Sequence, residues 1–138
     1  MATFTKTRHV NPDGFDVEVN VGVRARIGEG ARIGGHVKIG HNVVIGDNAW
    51  IGDNVEIGDN TEIGHDVKIG YIIRIGHDVK IGNQVEIGDK VGIHKEAEIG
   101  SNVVIGSNVE IRPMVVIPNN WSIPHHSLVN PGPVFVRR

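Results

Sequence analysis

The sequence predicts an all-β protein, a single-stranded parallel β-helix (β-solenoid) of about six 18-residue coils with no excursion loops. Three observations predict this fold. Isoleucine recurs at every sixth residue from Ile27 to Ile123. Most of these isoleucines follow a small or β-branched residue by two positions and precede a glycine directly. The charged residues in front of the isoleucines are opposite in sign at a separation of eighteen residues.

Each six-residue unit has a physical explanation for its pattern, which reads V-x-I-G-x-N. The alternation of Val and Ile places two apolar side chains on one face of a short strand. Glycine then permits a tight bend, and Asn or Asp three residues after the isoleucine suits a left-handed backbone conformation. A period of six with a glycine in most units matches no helical face, so helices are excluded.

The coil length follows from the outward-facing charges. Strands of neighbouring coils lie about 4.8 Å apart, so like charges stacked in register would repel each other. At a separation of eighteen residues the stacked pairs are opposite in sign, as in Lys38–Glu56, Lys68–Glu86 and Lys80–Glu98. Three units therefore make one coil.

Composition excludes several classes of function. The formal charge is −2 and the isoelectric point is near 6.4, so there is no basic field to attract nucleic acid or an anionic membrane. No apolar run reaches the length of about 18 residues that a membrane span needs. The first seven residues lack the apolar core of a signal peptide, and the chain contains no cysteine. We expect an intracellular or particle-associated protein.

The repeat units resemble a known family. Ile45-Gly46-Asp47-Asn48-Ala49-Trp50 and the unit that follows it are similar to those of the hexapeptide-repeat, left-handed parallel β-helix superfamily. The resemblance covers about residues 21–130. It implies a left-handed coil and a homotrimer, neither of which the periodicity itself establishes. The superfamily includes acyltransferases, γ-class carbonic anhydrases and proteins without catalytic activity.

The ends of the chain depart from the repeat. We assign residues 1–20 to an N-terminal arm and lead-in strand, residues 21–130 to the β-helix, and residues 131–138 to a C-terminal tail. A solenoid needs caps at both ends, and Phe15 and Trp121 are the candidates.

Outward-facing apolar residues are few, so they are candidates for a subunit interface. Those we single out are Val44, Trp50, Tyr71 and Ile72. The alternative is that they are scattered apolar residues of an ordinary protein surface.

Histidine supplies the candidates for chemistry. With coils of eighteen residues, His41, Asp59 and His77 stack in one corner column, where they could bind zinc or act in acid–base catalysis. The resemblance allows a comparison with the γ-class carbonic anhydrases, whose third zinc ligand follows the second by five residues. That place is held by Gly82, so we do not expect this activity. Polar corner residues can equally be solvated turn residues.

The acyltransferases of the superfamily imply a different candidate. Their activity normally uses a histidine general base and acyl-CoA bound along the helix, and His94 would be that base because it replaces a corner glycine. Without an excursion loop, however, little is present to position an acceptor or exclude water.

We therefore expect a non-catalytic, trimeric structural or interaction protein without a cofactor. It would space, cap or decorate a larger assembly, such as a virion or another multiprotein shell, through its N-terminal arm. The alternative is a hexapeptide-repeat acyltransferase that uses acyl-CoA.

Overall fold

The computed structural model describes residues 4–131, and these residues form three β-sheets that wind into a β-helix. Strands are numbered in chain order. Sheet A contains β1 (Thr5–Val10), β2 (Asp16–Val21), β5 (Val37–Ile39), β8 (Val55–Ile57), β11 (Ile73–Ile75), β14 (Gly92–Ile93), β17 (Glu110–Ile111) and β20 (Leu128–Val129). Sheet B contains β3 (Arg26–Ile27), β6 (Val44–Ile45), β9 (Glu62–Ile63), β12 (Lys80–Ile81), β15 (Glu98–Ile99) and β18 (Val116–Ile117). Sheet C contains β4 (Arg32–Ile33), β7 (Trp50–Ile51), β10 (Lys68–Ile69), β13 (Glu86–Ile87), β16 (Val104–Ile105) and β19 (Ser122–Ile123).

The register confirms the predicted coil of eighteen residues. Lys68 pairs with Glu86 in parallel, and Lys80 pairs with Glu98, as the outward charges required. Arg74 pairs with Glu56, and its Nε lies 3.8 Å from the Glu56 carboxylate. The chain passes from sheet A to B to C and returns to A one coil further along. Each coil therefore has three corners, which we call the A/B, B/C and C/A corners.

The corners adopt the predicted left-handed conformation. The third residue after each core isoleucine has a positive φ, for example 58° at Asn42 and 59° at Asn60. Ile72 adopts the same conformation, with φ of 60°, although positive φ is unfavourable for a β-branched side chain. The fold therefore imposes the corner geometry even where the local sequence does not favour it.

The core is a narrow column of stacked isoleucine, valine and alanine side chains. Ile39, Val43 and Ala49 have no exposed surface, and the same pattern continues coil after coil. Thr61 stands where other coils have an apolar residue, and it is fully buried. Its hydroxyl donates to the Gly76 carbonyl at 3.0 Å, which satisfies the buried polar group.

The N-terminal segment folds back onto the β-helix. β1 pairs with β2 in antiparallel fashion, and β2 in turn pairs in parallel with β5, with Val19 opposite Val37. At the hairpin tip the side-chain amide of Asn11 donates to the Ile33 carbonyl at 3.0 Å and accepts from the Ile33 N–H at 2.8 Å. The hairpin thus closes the first coil.

The two predicted caps have different surroundings. Phe15 is 74% exposed, so it does not cover the core, and Asn11 and the partly buried Val17 lie at this end instead. Trp121 packs against the core in the last coil. The predicted C-terminal tail lies outside the described residues, apart from Pro131.

Among residues 4–131 there is no helix long and apolar enough to cross a membrane.

Candidate functional site

The corners are joined by a ladder of side-chain hydrogen bonds, which we call the corner ladder. It involves the second residue after each core isoleucine. The side chain of this residue accepts a hydrogen bond from the backbone N–H of its equivalent one coil earlier. Asp59, for example, accepts from the His41 N–H at 2.8 Å, and Asn83 accepts from the His65 N–H at 2.8 Å. Asp, Asn, Ser and His all serve as acceptors.

Three of the histidines belong to this ladder. The Nδ1 atoms of His41, His65 and His125 accept from the N–H groups of Val23, Asp47 and Ser107 at 2.8–2.9 Å. Because Nδ1 acts as an acceptor, the proton of each neutral ring lies on Nε2. The polar corner residues therefore have a structural role as acceptors, beyond that of solvated turn residues.

Within residues 4–131, four residues in the acceptor position of the ladder do not accept a hydrogen bond from the backbone N–H one coil earlier. They are Tyr71 at the C/A corner, and His77, Lys95 and Pro113 in successive coils of the A/B corner. The Nδ1 of His77 instead lies 2.7 Å from a carboxylate oxygen of Asp78. The interruptions therefore concentrate in one corner column.

The proposed metal column does not converge on one point. His41 uses Nδ1 as an acceptor and stacks on Phe4, with ring centroids 4.7 Å apart. Asp59 accepts from the His41 N–H, and His77 turns to Asp78. No group of three or more His, Cys, Asp or Glu side chains within residues 4–131 is placed to hold a metal ion.

His94 lies in the same A/B corner, in a place that is glycine in the four preceding coils and Arg112 in the next coil. A Cβ built on Gly58 would lie 2.5 Å from the Gly76 carbonyl carbon, and one on Gly46 would lie 2.6 Å from the Gly64 oxygen. His94 nevertheless keeps the backbone hydrogen bond of this place, from its N–H to the Ile111 carbonyl at 2.9 Å. Residues that break a local rule of the fold often mark functional sites.

The surface around His94 is open and carries a carboxylate. Gly92 takes the outward-facing place of strand β14, between Arg74 and Glu110 in the neighbouring coils. A Cβ at Gly92 would meet only the Glu110 carboxylate, at 3.8 Å. The Nε2 of His94 lies 4.0 Å from the same carboxylate group. An imidazole, a carboxylate and an open surface thus occur together, and this combination suits general base catalysis.

The predicted interface residues are all exposed but do not form one patch. Val44 faces outward on sheet B, whereas Trp50 faces outward on sheet C between Arg32 and Lys68, whose charged groups lie 4.9 and 5.7 Å from its ring. Tyr71 and Ile72 lie at the C/A corner. Trp50 and Tyr71 line a shallow groove of about 730 Å³ along sheet C.

Sequence reasoning found His94 but missed its surroundings. Glu110 and Gly92 follow from the eighteen-residue register, because both belong to the same column of sheet A. The signal for the corner ladder was also present, since Asp, Asn, Ser and His recur at one corner position and all carry an acceptor. Its interruption at Lys95 and Pro113 was therefore visible in the sequence.

Comparisons with known proteins support the fold. Residues 84–119 match the family model described as bacterial transferase hexapeptide (six repeats). A search of curated protein sequences finds no significant match.

Three solved structures illustrate the similarity. PerB from Caulobacter crescentus, in complex with CoA and GDP-perosamine, has a TM-score of 0.77 at 23% identity, over 83% of this chain and 55% of PerB. The UDP-N-acetylglucosamine acyltransferase from Campylobacter jejuni has a TM-score of 0.63 at 20% identity, over 82% and 58%. The hexapeptide-repeat acetyltransferase VCA0836 from Vibrio cholerae, complexed with acetyl coenzyme A, has a TM-score of 0.62 at 20% identity, over 72% and 65%. The chain therefore spans only part of the length of each of these proteins.

These findings overturn our prediction of a non-catalytic structural protein without a cofactor. The three proteins are acyltransferases, and two of their structures are described with CoA or acetyl coenzyme A. The prediction was wrong because it inferred inactivity from the uninterrupted coils. A regular coil fixes the shape of the scaffold, and chemistry depends on the side chains at its corners.

The family resemblance is confirmed by the matching family model and by the shared fold. Residues 84–119 carry the hexapeptide repeats that this model describes, and the chain shares its β-helix fold with the three solved structures.

Proposed function

We propose that the protein is an acyltransferase that moves an acyl group from acyl-CoA to an amine or hydroxyl acceptor, with His94 as the general base. The observation that carries this proposal is the replacement of a corner glycine by His94, next to Glu110 and the open surface at Gly92. The similarity to acetyltransferases of the same fold supports the choice of reaction.

The chemistry assigned to His94 is proton transfer. Acyl-CoA supplies an acyl group activated as a thioester. His94 takes the proton from the acceptor while the acceptor's nitrogen or oxygen forms a bond to the acyl carbon. The carbon–sulfur bond then breaks, and the proton passes to the departing thiolate, so the products are acylated acceptor and free CoA. The Glu110 carboxylate lies 4.0 Å from the Nε2 of His94, where its negative charge is opposite to the positive charge that develops on the ring in this step.

The charges of this corner fit a donor that carries phosphate groups. Lys95 and Arg112 occupy neighbouring places in successive coils of the A/B corner, and both are exposed. Lysine and arginine are the usual partners of phosphate oxygens. An acyl-CoA donor is made inside cells, so the proposal includes an intracellular location.

The proposal also includes a homotrimer. In a trimer, neighbouring subunits would cover the outward-facing apolar residues. They would also enclose the surface around His94, which is open to solvent in one protomer. Sedimentation of the purified chain tests this part separately. A monomer at the assay concentration would contradict it.

Release of free CoA tests the proposed activity directly. The chain contains no cysteine, so a thiol-reactive dye reports only CoA. The full chain is mixed with acetyl-CoA and a panel of amino sugars, amino acids and hydroxylated sugars. We expect acceptor-dependent thiol release that is lost in His94→Ala. Absence of thiol release with every acceptor, or unchanged activity in His94→Ala, would contradict the proposal.

A further inference from the structure

We propose that the acceptor is a primary amine that also carries an anionic group, a carboxylate or a phosphate, and that it binds on sheet A over Gly92, between Glu110 and Arg74. This inference rests on the proposed function and deepens it, because it names the chemical class of the acceptor at the same site.

The outer face of sheet A has a gap beside His94. The residue directly before each core isoleucine faces outward, and from Arg26 to Ser122 Gly92 is the only one of these residues without a side chain. A Cβ built on Gly92 would meet only the Glu110 carboxylate, at 3.8 Å. His94 follows two residues later, in a place that is glycine in the four preceding coils. The side chain missing from the face and the side chain added at the corner therefore lie next to each other.

The two sides of this gap carry opposite charges. Arg74 pairs with Gly92 from the coil before, and Glu110 pairs with Gly92 from the coil after. The two charged side chains are 81% and 61% exposed. Coils lie about 4.8 Å apart, so the backbones of Arg74 and Glu110 are separated by about 9.6 Å. A small molecule can lie over Gly92 with one end at each charge.

Arg74 has an opposite charge on one side only. Along sheet A, Lys38 pairs with Glu56 and Glu56 pairs with Arg74, so the outward charges alternate in sign up to this point. The Nε of Arg74 lies 3.8 Å from the Glu56 carboxylate. On its other side Arg74 pairs with Gly92, where the alternation would place a carboxylate. An anionic group bound in the gap would take that place.

Glu110 has no cationic neighbour in its own column. It pairs with Gly92 in the coil before and with Leu128 in the coil after, and neither residue is charged. Within residues 4–131, the one ionisable group within 4.0 Å of its carboxylate is the imidazole of His94. A cationic group bound over Gly92 would therefore meet Glu110 and lie beside the proposed base.

These two charges select an acceptor with both an ammonium and an anionic group. Arginine binds carboxylate and phosphate oxygens through parallel N–H donors, and a carboxylate binds an ammonium group. An ammonium at Glu110 places the acceptor nitrogen next to His94, which has to take a proton from it. An uncharged hydroxyl acceptor would form neither ion pair.

Transfer to such an amine releases one proton overall. The amine binds as an ammonium ion and first loses one proton to solvent. The lone pair of the neutral nitrogen then forms the bond to the acyl carbon while His94 takes a second proton from the nitrogen. The carbon–sulfur bond breaks with its electron pair on sulfur, and His94 passes its proton to this thiolate. The products are the amide, free CoA and the proton that was lost to solvent.

Matched acceptors test the two charges separately in the full chain with acetyl-CoA. Glucosamine 6-phosphate carries both groups, glucosamine lacks the anion, and glucose 6-phosphate lacks the amine. An α-amino acid, its amide and the corresponding hydroxy acid form a second set, with a carboxylate as the anion. In at least one set, we expect kcat/KM of the amine with the anionic group to exceed that of either analogue by about tenfold or more, since each lost analogue group removes one charged contact. The set that shows this preference identifies the anion as phosphate or carboxylate.

Substitution of Arg74 tests the contact with the anionic group. In Arg74→Gln we expect KM for the preferred acceptor to rise about tenfold, whereas KM for its analogue without the anion and KM for acetyl-CoA stay unchanged. Arg74→Lys keeps the charge and should retain most of the affinity. Lys80→Gln is the matched control, because Lys80 faces outward on sheet B in the same coil and pairs with Glu62 and Glu98, away from the gap. It should behave like the wild type.

Gly92→Gln tests the gap itself. It supplies the side chain that this place lacks, without adding a charge, so we expect KM for the preferred acceptor to rise about tenfold or more while KM for acetyl-CoA is unchanged. The melting temperature should stay that of the wild type, because only the Glu110 side chain lies within 4 Å of the new Cβ. An unchanged KM for the acceptor in this variant would contradict binding over Gly92.

The outcomes distinguish this inference from the proposed function. A wild type that releases CoA equally well with acceptors lacking the amine or the anionic group would overturn this inference and leave the proposed function standing. The same holds if Arg74→Gln does not change KM for an anionic amine. A wild type that releases no CoA with any acceptor would overturn both.

Discussion

The Nε2 atom of His94 lies 4.0 Å from the Glu110 carboxylate, across two neighbouring coils of sheet A. Both side chains are exposed, so the pair contributes at most about 1 kcal/mol, which corresponds to about a fivefold effect on a rate. We expect Glu110→Gln to lower kcat by about that factor and to leave KM for acetyl-CoA unchanged. A larger fall in His94→Ala than in Glu110→Gln would agree with the assigned roles, and the reverse order would not.

The corner ladder predicts which histidine substitutions are tolerated. His65→Leu removes the acceptor of the Asp47 N–H, and we expect the free energy of unfolding to fall by about 1 kcal/mol. His65→Asn should keep the stability of the wild type, because asparagine is the acceptor at the next place of the same column.

Urea unfolding of these two variants at one fixed protein concentration makes the measurement. Equal losses in both would mean that His65 acts through its ring and not through the ladder.

The N-terminal hairpin predicts a second stability effect. Asn11→Ala removes two hydrogen bonds from the buried backbone of Ile33, and we expect a loss of about 2 kcal/mol. Because the variant also uncovers the edge of sheet C, it should aggregate more readily on heating, as exposed sheet edges do.

Thermal unfolding followed by light scattering checks both effects. The exposed Ser122→Ala serves as the control and should behave like the wild type. If Asn11→Ala melted at the wild-type temperature without scattering, the hairpin would not be a cap.

Substitution of alanine for two different glycines should change the stability of the protein by very different amounts. Gly58→Ala would place a methyl group 2.5 Å from the backbone of the next coil, and we expect a loss of about 3 kcal/mol. Gly92→Ala would meet only the Glu110 side chain at 3.8 Å, so its stability should change little. The difference in melting temperature between the two variants is the measurement. Similar melting temperatures would contradict the corner geometry.

Much of the fold was predictable because the same six-residue pattern recurs in coil after coil. The coil length followed from pairs such as Lys80 and Glu98, which lie opposite each other in the structure. The N-terminal hairpin was not predicted, since β1 (Thr5–Val10) is mostly polar and lacks the alternation of a half-buried strand. Nothing local marks Asn11 as a cap, because its partner Ile33 is distant in the chain.

The site was predictable only in part. His94 stood out because it breaks the glycine pattern, whereas Glu110 becomes relevant only once the register brings its carboxylate within 4.0 Å of His94. The three side chains that we considered as zinc ligands do not converge on one point, for a related reason. Stacking brings His41, Asp59 and His77 into one column, but each side chain takes a nearer partner.

The central claim is that His94 is the general base of the reaction, and that a histidine at this corner lowers the stability of the fold. His94→Gly restores the residue that the repeat uses at this place, so kcat and melting temperature of this one variant test the claim together. We expect acceptor-dependent release of CoA to disappear while the melting temperature stays equal to or above that of the wild type. Retained activity, or a lower melting temperature with the activity unchanged, would contradict the claim.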